Sequence, residues 1–297
     1  MSRFDAQFAG RLNGQTVLVT GANGAIGHET AQGIGNCGAT VLVHARGGDH
    51  ARRAVDLLVT NGNGAGQYVA VAGDLGSLAG VRGLIDVVHD AAPKGLHGLV
   101  NNAGAAFSSR ALSPDGYERT IAINHVALAA VTDGLLDLLR KGADDVAAPS
   151  RVVTMTALIE SRGKPITDWS YPGKYKQIQA YADAKLLALM YTYALARHHD
   201  GKGLTFNAVS PGAVKTTLGS KAGGPFKLIE ALTNPFVGSP EKGSRGCVRL
   251  MADPELATAT GGYYSSAKLK KSSKQSQDTE AQDRIYTQTE RELRSHP

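Results

Sequence analysis

TVLVTGANGAIG, residues 16–27, opens with a β-branched apolar run at 16–20 that reads as a buried strand. It then passes through glycines into a helix expected over 25–35. Glycines at such a junction let the backbone turn tightly. The helix start aims unpaired N–H groups and a partial positive charge outward, which suits a pyrophosphate. On this stretch alone, a plain structural strand-to-helix turn is the alternative.

Similar runs recur along the 297 residues: TVLVHA at 40–45, YVAVAGD at 68–74, a run ending at Asn101, RVVTMT at 151–156, LTFNAVS ending at Ser210, and a short GGYYSS at 261–266. Helical segments separate them, 51–60 among them. Continuous apolar strands alternating with helices predict an α/β fold: a Rossmann-type doubly wound parallel sheet of about seven strands, with helices on both faces. In such sheets ligands sit outside the carboxyl ends of the strands, where most of the polar motifs fall. No repeat or linker divides the chain, so residues 1–297 are expected to form one nucleotide-binding domain. Loops at 158–180 and 215–240 border the substrate, and a polar tail at 267–297 has helical character over 280–293.

Composition narrows the class. Apolar residues at 42% supply a core, and charged residues at 20% argue against disorder. The net charge is +6, but the cations are dispersed and no run interleaves them with aromatics, so no nucleic-acid partner is expected. The densest cluster, Lys268, Lys270, Lys271 and Lys274, is soon followed by Asp278, Glu280 and Asp283, as on a solvated surface. Two cysteines and nine histidines without an HExxH pattern predict no metal site. The longest apolar stretch, 121–139, carries Asn124, His125, Asp133 and Asp137, which predicts no membrane span. The expected setting is cytoplasmic, and the expected partner a small-molecule substrate.

The end of the second strand separates two cofactors. A carboxylate there would bond the ribose 2′-OH of NAD. The sequence instead reads His44–Ala45–Arg46, and a guanidinium pairs well with a 2′-phosphate. NADP(H) is therefore favoured over NAD(H), with a plain solvated arginine as the bland alternative.

Five segments follow in order: TGANGAIG at 20–27, Asp74–Leu75, Asn101–Asn102–Ala103–Gly104, Tyr181-x-x-x-Lys185 and Pro211–Gly212. On these the chain resembles the short-chain dehydrogenase/reductase family over nearly its whole length, with Ala25 where glycine is usual. The ending GGYYSSAKLKKSS resembles the retinol-dehydrogenase-like branch. The resemblance implies that Gly21, Asn23, Ala25, Ile26 and Gly27 cradle the pyrophosphate. It places Asp74 and Leu75 at the adenine, and Asn101, Ala103 and Gly104 beneath the ribose. Pro211, Gly212, Val214 and Thr216 fall at the nicotinamide. Asn124 matches a helix asparagine that bends around a water and links Lys185 to solvent. Homo-oligomers built on the helices bearing Asn124 and Tyr181 are a further implication.

Tyr181 and Lys185 also carry a physical case of their own. QAYADAKLLALMYTYAL has helical spacing, so residues i and i+4 share a face. A nearby ammonium favours the phenolate and moves an ordinary tyrosine, with a pKa of about 10, toward the working range. Tyr181 then exchanges a proton with a carbonyl oxygen as general acid/base. Tyr264-x-x-x-Lys268 matches the same spacing but follows a short strand and has no helical apolar face, so it reads as coincidence.

One position departs from the family. Its members usually end the fifth strand with two serines, whereas here Thr156 and Ala157 stand. Removing a transition-state donor of this kind typically costs about 10²–10³ in rate. Three readings stay open. Thr156 replaces the donor, or Ser161, Thr167 or Ser170 from the following loop does. In the third, the chain is a non-redox isomerase, dehydratase or cyclase, or a catalytically silent NADP(H) sensor. Trp169, Tyr171 and Tyr175, with Phe226, Leu228 and Phe236, either line a partly apolar substrate pocket or pack their loops onto the body.

Overall fold

The apolar runs become strands because both of their faces are covered. β1 (Thr16–Val19), β2 (Thr40–Ala45), β3 (Gln67–Ala72), β4 (Gly98–Asn101), β5 (Ser150–Met155), β6 (Leu204–Ser210) and β7 (Tyr263–Ser265) run parallel. β8 (Lys268–Lys270) pairs antiparallel with β7. The order is β3-β2-β1-β4-β5-β6-β7-β8 in a computed structural model that describes residues 3–63, 65–212 and 238–296. β4 and β6 are buried throughout, as central parallel strands are, while edge strand β3 shows exposed residues at alternate positions. Among the described residues the sheet has eight strands, one more than the seven expected. The extra one, Lys268–Lys270, lies in the segment expected to be a tail, and its three residues are exposed.

Helices cover the two faces. On one side α1 (Ala25–Asn36) packs against α7 (Pro240–Ala252), with α2 (Gly48–Asn61) beside it. On the other lie α3 (Leu78–Ala91), α4 (Arg119–Gly134), α5 (Leu136–Val146), α6 (Gln177–His198) and α8 (Thr279–Arg294). The two largest apolar clusters among the described residues lie on opposite faces: Leu18, Leu99, Leu186 and Phe206 belong to the second side, Val17, Val100, Ile34 and Val248 to the first. Alternating β1 and β4 side chains feed opposite layers, as strand geometry requires. Among the described residues, no single helix is long and apolar enough to cross a membrane.

Local chemistry sets the helix ends. Ser77, Ser239 and Asp278 each accept a backbone N–H of the first turn and so cap α3, α7 and α8. α1 differs: Gly24 precedes it, no side chain caps it and its first turn has no acid. Its leading N–H groups are left for an anion. α4 is interrupted at Ala122–Val126 by a π-turn. The chain runs β1–β2–β3 in one direction and β4–β5–β6 in the other, so a crevice opens between the carboxyl ends of β1 and β4.

Candidate active site

A cavity of about 690 Å³ fills that crevice. Gly21, Asn23, Ala25, Ile26 and Gly27 form its wall at the uncapped start of α1. Gly21 has φ 65°, a left-handed conformation that favours glycine, and a Cβ there would sit 3.0 Å from Ala103 Cα. Arg46 is exposed at the same end, and Asp74 and Leu75 line the cavity beyond β3. Ala103, Gly104, Thr156, Tyr181, Lys185, Pro211 and Gly212 bound the rest. Val214, Thr216, Phe226, Leu228 and Phe236 fall outside the described residues.

Asn101 departs from its expected place. Its amide donates to the Thr132 hydroxyl at 2.8 Å, inside the packing of α4, and it is absent from the cavity wall. Asn102 lines the cavity instead, donating to the carbonyl oxygens of Thr20 (2.8 Å) and Gly21 (3.2 Å). The Thr20 hydroxyl accepts the N–H groups of Asn102 and Ala103, both at 3.0 Å, which knits the β1 and β4 exits together.

His44 is a second residue the sequence did not single out. Its Nδ1 accepts the Gly21 N–H at 3.0 Å and its Nε2 meets the Gly73 carbonyl at 2.9 Å. These bonds require the neutral tautomer protonated on Nε2. Burial favours the same state by pushing the imidazole below its usual range, against the opposing pull of the Gly73 carbonyl and Asp74. The imidazole thus braces the glycine turn against the exit of β3. A polar residue at a buried strand end was the available signal.

Tyr181, Lys185 and Asn124 converge at the other end. Lys185 Nζ donates to the Met155 carbonyl at 2.9 Å and lies 5.8 Å from the centre of the Tyr181 ring. Asn124 sits in the π-turn, where its amide donates to the carbonyls of Ala105 (2.6 Å) and Thr120 (2.7 Å). Its Oδ1 is buried without a hydrogen-bond partner among the described residues. A Cβ on Gly104 would lie 2.7 Å from that oxygen and 3.3 Å from Lys185 Nζ, so only glycine leaves the two polar atoms room to share this corner.

The protonation states differ from the expected pattern. Burial pushes the Tyr181 phenol above its ordinary value and lowers the Lys185 ammonium to about 8. Desolvation outweighs the ion–phenol attraction at this separation. Near neutral pH the pair is a phenol beside an ammonium, which makes Tyr181 a proton donor.

No hydroxyl stands at Ala157, which instead packs beside Tyr181, Ala106 and Ile159. The Thr156 hydroxyl borders the cavity but is 3.4 Å from the Lys185 carbonyl, to which it donates. Ser161 donates to the Leu158 carbonyl, and Ser170 to Asp168. None of the lining residues comes from 158–180. Trp169 is buried against His125, the Tyr171 phenol donates to Asp183 at 2.8 Å, and the Tyr175 phenol donates to the Phe107 carbonyl at 2.9 Å. These aromatics pack their loop onto the body. Tyr264 and Lys268 lie on the two strands of the β7–β8 hairpin, away from the cavity wall.

Residues 15–224 match the profile of the family described as short chain dehydrogenase. The chain is 30% identical over 272 residues to retinol dehydrogenase 14 of Mus musculus, covering 87% of this chain and 80% of that protein. It is also 30% identical over 280 residues to retinol dehydrogenase 12 of Homo sapiens, covering 93% and 85%. Among solved structures, the Pseudomonas aeruginosa RhlG/NADP active-site complex superposes with a TM-score of 0.70 at 25% identity, covering 89% of this chain and 97% of that one. The chain belongs to the short-chain dehydrogenase family, with its likeness directed toward the retinol dehydrogenases.

Proposed function

We propose that the chain is an NADP(H)-dependent oxidoreductase that reduces a ketone or aldehyde, or oxidises the alcohol, of a medium-sized and partly hydrophobic metabolite. The carrying observation is the cavity itself. An uncapped helix start and Arg46 lie at one end, and Tyr181, Lys185 and Asn124 at the other. The unpaired N–H groups of α1 fit a pyrophosphate, and Arg46 fits a 2′-phosphate where no carboxylate stands. Asp74 and Leu75 flank the adenine position, and Ala103 and Gly104 pass beneath the ribose. When bound, the nicotinamide exchanges a hydride with the substrate carbon.

Tyr181 gives its phenolic proton to the carbonyl oxygen. Lys185 keeps its charge below about pH 8 and stabilises the phenolate left behind. To restore the phenol, Lys185 passes a proton on to the Tyr181 phenolate, and a water donating to the orphan Asn124 Oδ1 would replace that proton from solvent. Thr156 supplies the carbonyl's second donor by turning from its long bond to the Lys185 carbonyl.

Ala157 supports a second reading, a non-redox isomerase that uses Tyr181 as acid or base alone. Nicotinamide absorbance, followed with NADPH and a panel of ketones and aldehydes, separates the two. Tyr181→Phe is expected to lower turnover by about 10²–10⁴ with NADPH affinity retained. Product formed without cofactor consumption favours the isomerase, and tighter binding of NADH than NADPH removes the role of Arg46.

A further inference from the structure

We propose that the cavity mouth contains a subsite for an anionic group on the substrate, a carboxylate in the first instance, with Arg119 as its recognition residue. This rests on the oxidoreductase reading of the same cavity.

Ala106 packs directly against Tyr181, and the next residue, Phe107, lines the cavity. The Arg119 guanidinium lies 3.9 Å over the centre of the Phe107 ring. Both parts of this stack are anchored by one phenol. Tyr175 donates to the Phe107 carbonyl at 2.9 Å and shares a 3.0 Å hydrogen bond with the hydroxyl of Thr120, the residue after Arg119. The Arg119 backbone N–H is fixed on the Ala111 carbonyl at 3.0 Å. The guanidinium is therefore held on the wall of the same cavity that Tyr181 lines.

Apart from the Phe107 ring, the described residues give this charge no ionic partner. Arg119 is exposed and forms no ion pair among the described residues. The adjacent carboxylate, Glu118, is fully buried and committed to the N–H groups of Thr120 and Ile121 and to the Thr120 hydroxyl. Asp74 is the one carboxylate among the described lining residues, and it accepts the Gly76 N–H. A guanidinium seated over a ring still has N–H groups to offer a carboxylate, which it can pair bidentately. Leu112 and Ile123 give the neighbouring wall an apolar surface. A carbonyl compound with an apolar body and an acid group fits this combination.

The test titrates 4-methylbenzoate and its neutral counterpart 4-methylbenzamide into the full chain saturated with NADP⁺, by calorimetry. The carboxylate is expected to bind at least about tenfold tighter, as a charge-assisted pair implies. Arg119→Leu should abolish the difference and Arg119→Lys should keep part of it. NADPH affinity, read by fluorescence, should stay unchanged in Arg119→Leu. Equal binding of the two probes, or binding of neither, overturns the subsite. A loss of NADPH affinity with the preference intact reassigns Arg119 to the cofactor and also overturns it. Because no turnover is measured, a failure of the redox chemistry is read separately, from the absorbance assay.

Discussion

At the scale of single residues, the glycine turn was legible from its place between a strand and a helix, Tyr181 and Lys185 from their helical spacing together with the other motifs, and Asn124 through the family resemblance. Their protonation states were not, since these depend on burial by groups distant in sequence. The lowered Lys185 leads to a definite pH dependence. Its cation is present below about pH 8 and lost above it, so kcat/KM for carbonyl reduction should fall as pH rises through that point. A profile flat to pH 10 would remove the cation from the reaction. His44 was passed over as merely the absence of a carboxylate, whereas its ring joins Gly21 to Gly73. His44→Ala leaves the Gly21 N–H and the Gly73 carbonyl without their imidazole partner and should weaken NADPH binding about tenfold or more, measured by fluorescence titration. Unchanged affinity would show that the turn holds its shape without the imidazole.

At the scale of elements, β1 to β7 were readable to within a residue or two, because β-branched runs flanked by glycine have few other uses. β8 was missed. Lys268–Lys270 carries no apolar pattern and becomes a strand only by pairing with β7. The π-turn of α4 was equally hidden, because it arises from contacts rather than propensity. Its His125 is fully buried, bonded through Nε2 to Thr289 at 3.1 Å, and set edge-on to Trp169. Burial lowers its pKa from 6.5 to about 3. Above pH 6.5 both folded and unfolded chains hold it neutral, and no stability changes. Below 6.5 only the unfolded chain takes up the proton, so stability falls by about 1.4 kcal/mol per pH unit until about pH 3. Urea unfolding at pH 4.5 should thus show a loss of about 3 kcal/mol from this group, and His125→Gln should remove that part of the slope.

At the scale of the whole molecule, the expected polar tail is a structural component. α8 clasps both site-bearing helices: Thr289 meets His125, Glu290 accepts from the Tyr191 phenol at 3.3 Å, Tyr286 stacks on Tyr191 and His198, and Asp283 pairs with Arg197. The helices expected to carry an oligomer contact are therefore partly covered here by α8 of the same chain. Nothing in the tail's composition announced this, because the few apolar residues of α8, such as Ala281 and Ile285, are spread among charges. Deleting residues 279–297 uncovers Tyr191 and His125 and removes the burial of Ile285, itself about 1.5–3 kcal/mol, from a total stability of about 5–15 kcal/mol. A lower urea midpoint and self-association by light scattering are expected. A truncated chain whose association state and urea midpoint both match those of the full chain would contradict the clasp. During synthesis the same arrangement imposes an order of events. The outer support of the Tyr181 helix is synthesised well after the helix itself, so a nascent chain that lacks residues 279–294 should carry the nucleotide crevice yet stay open to protease along α6 until its brace emerges and docks.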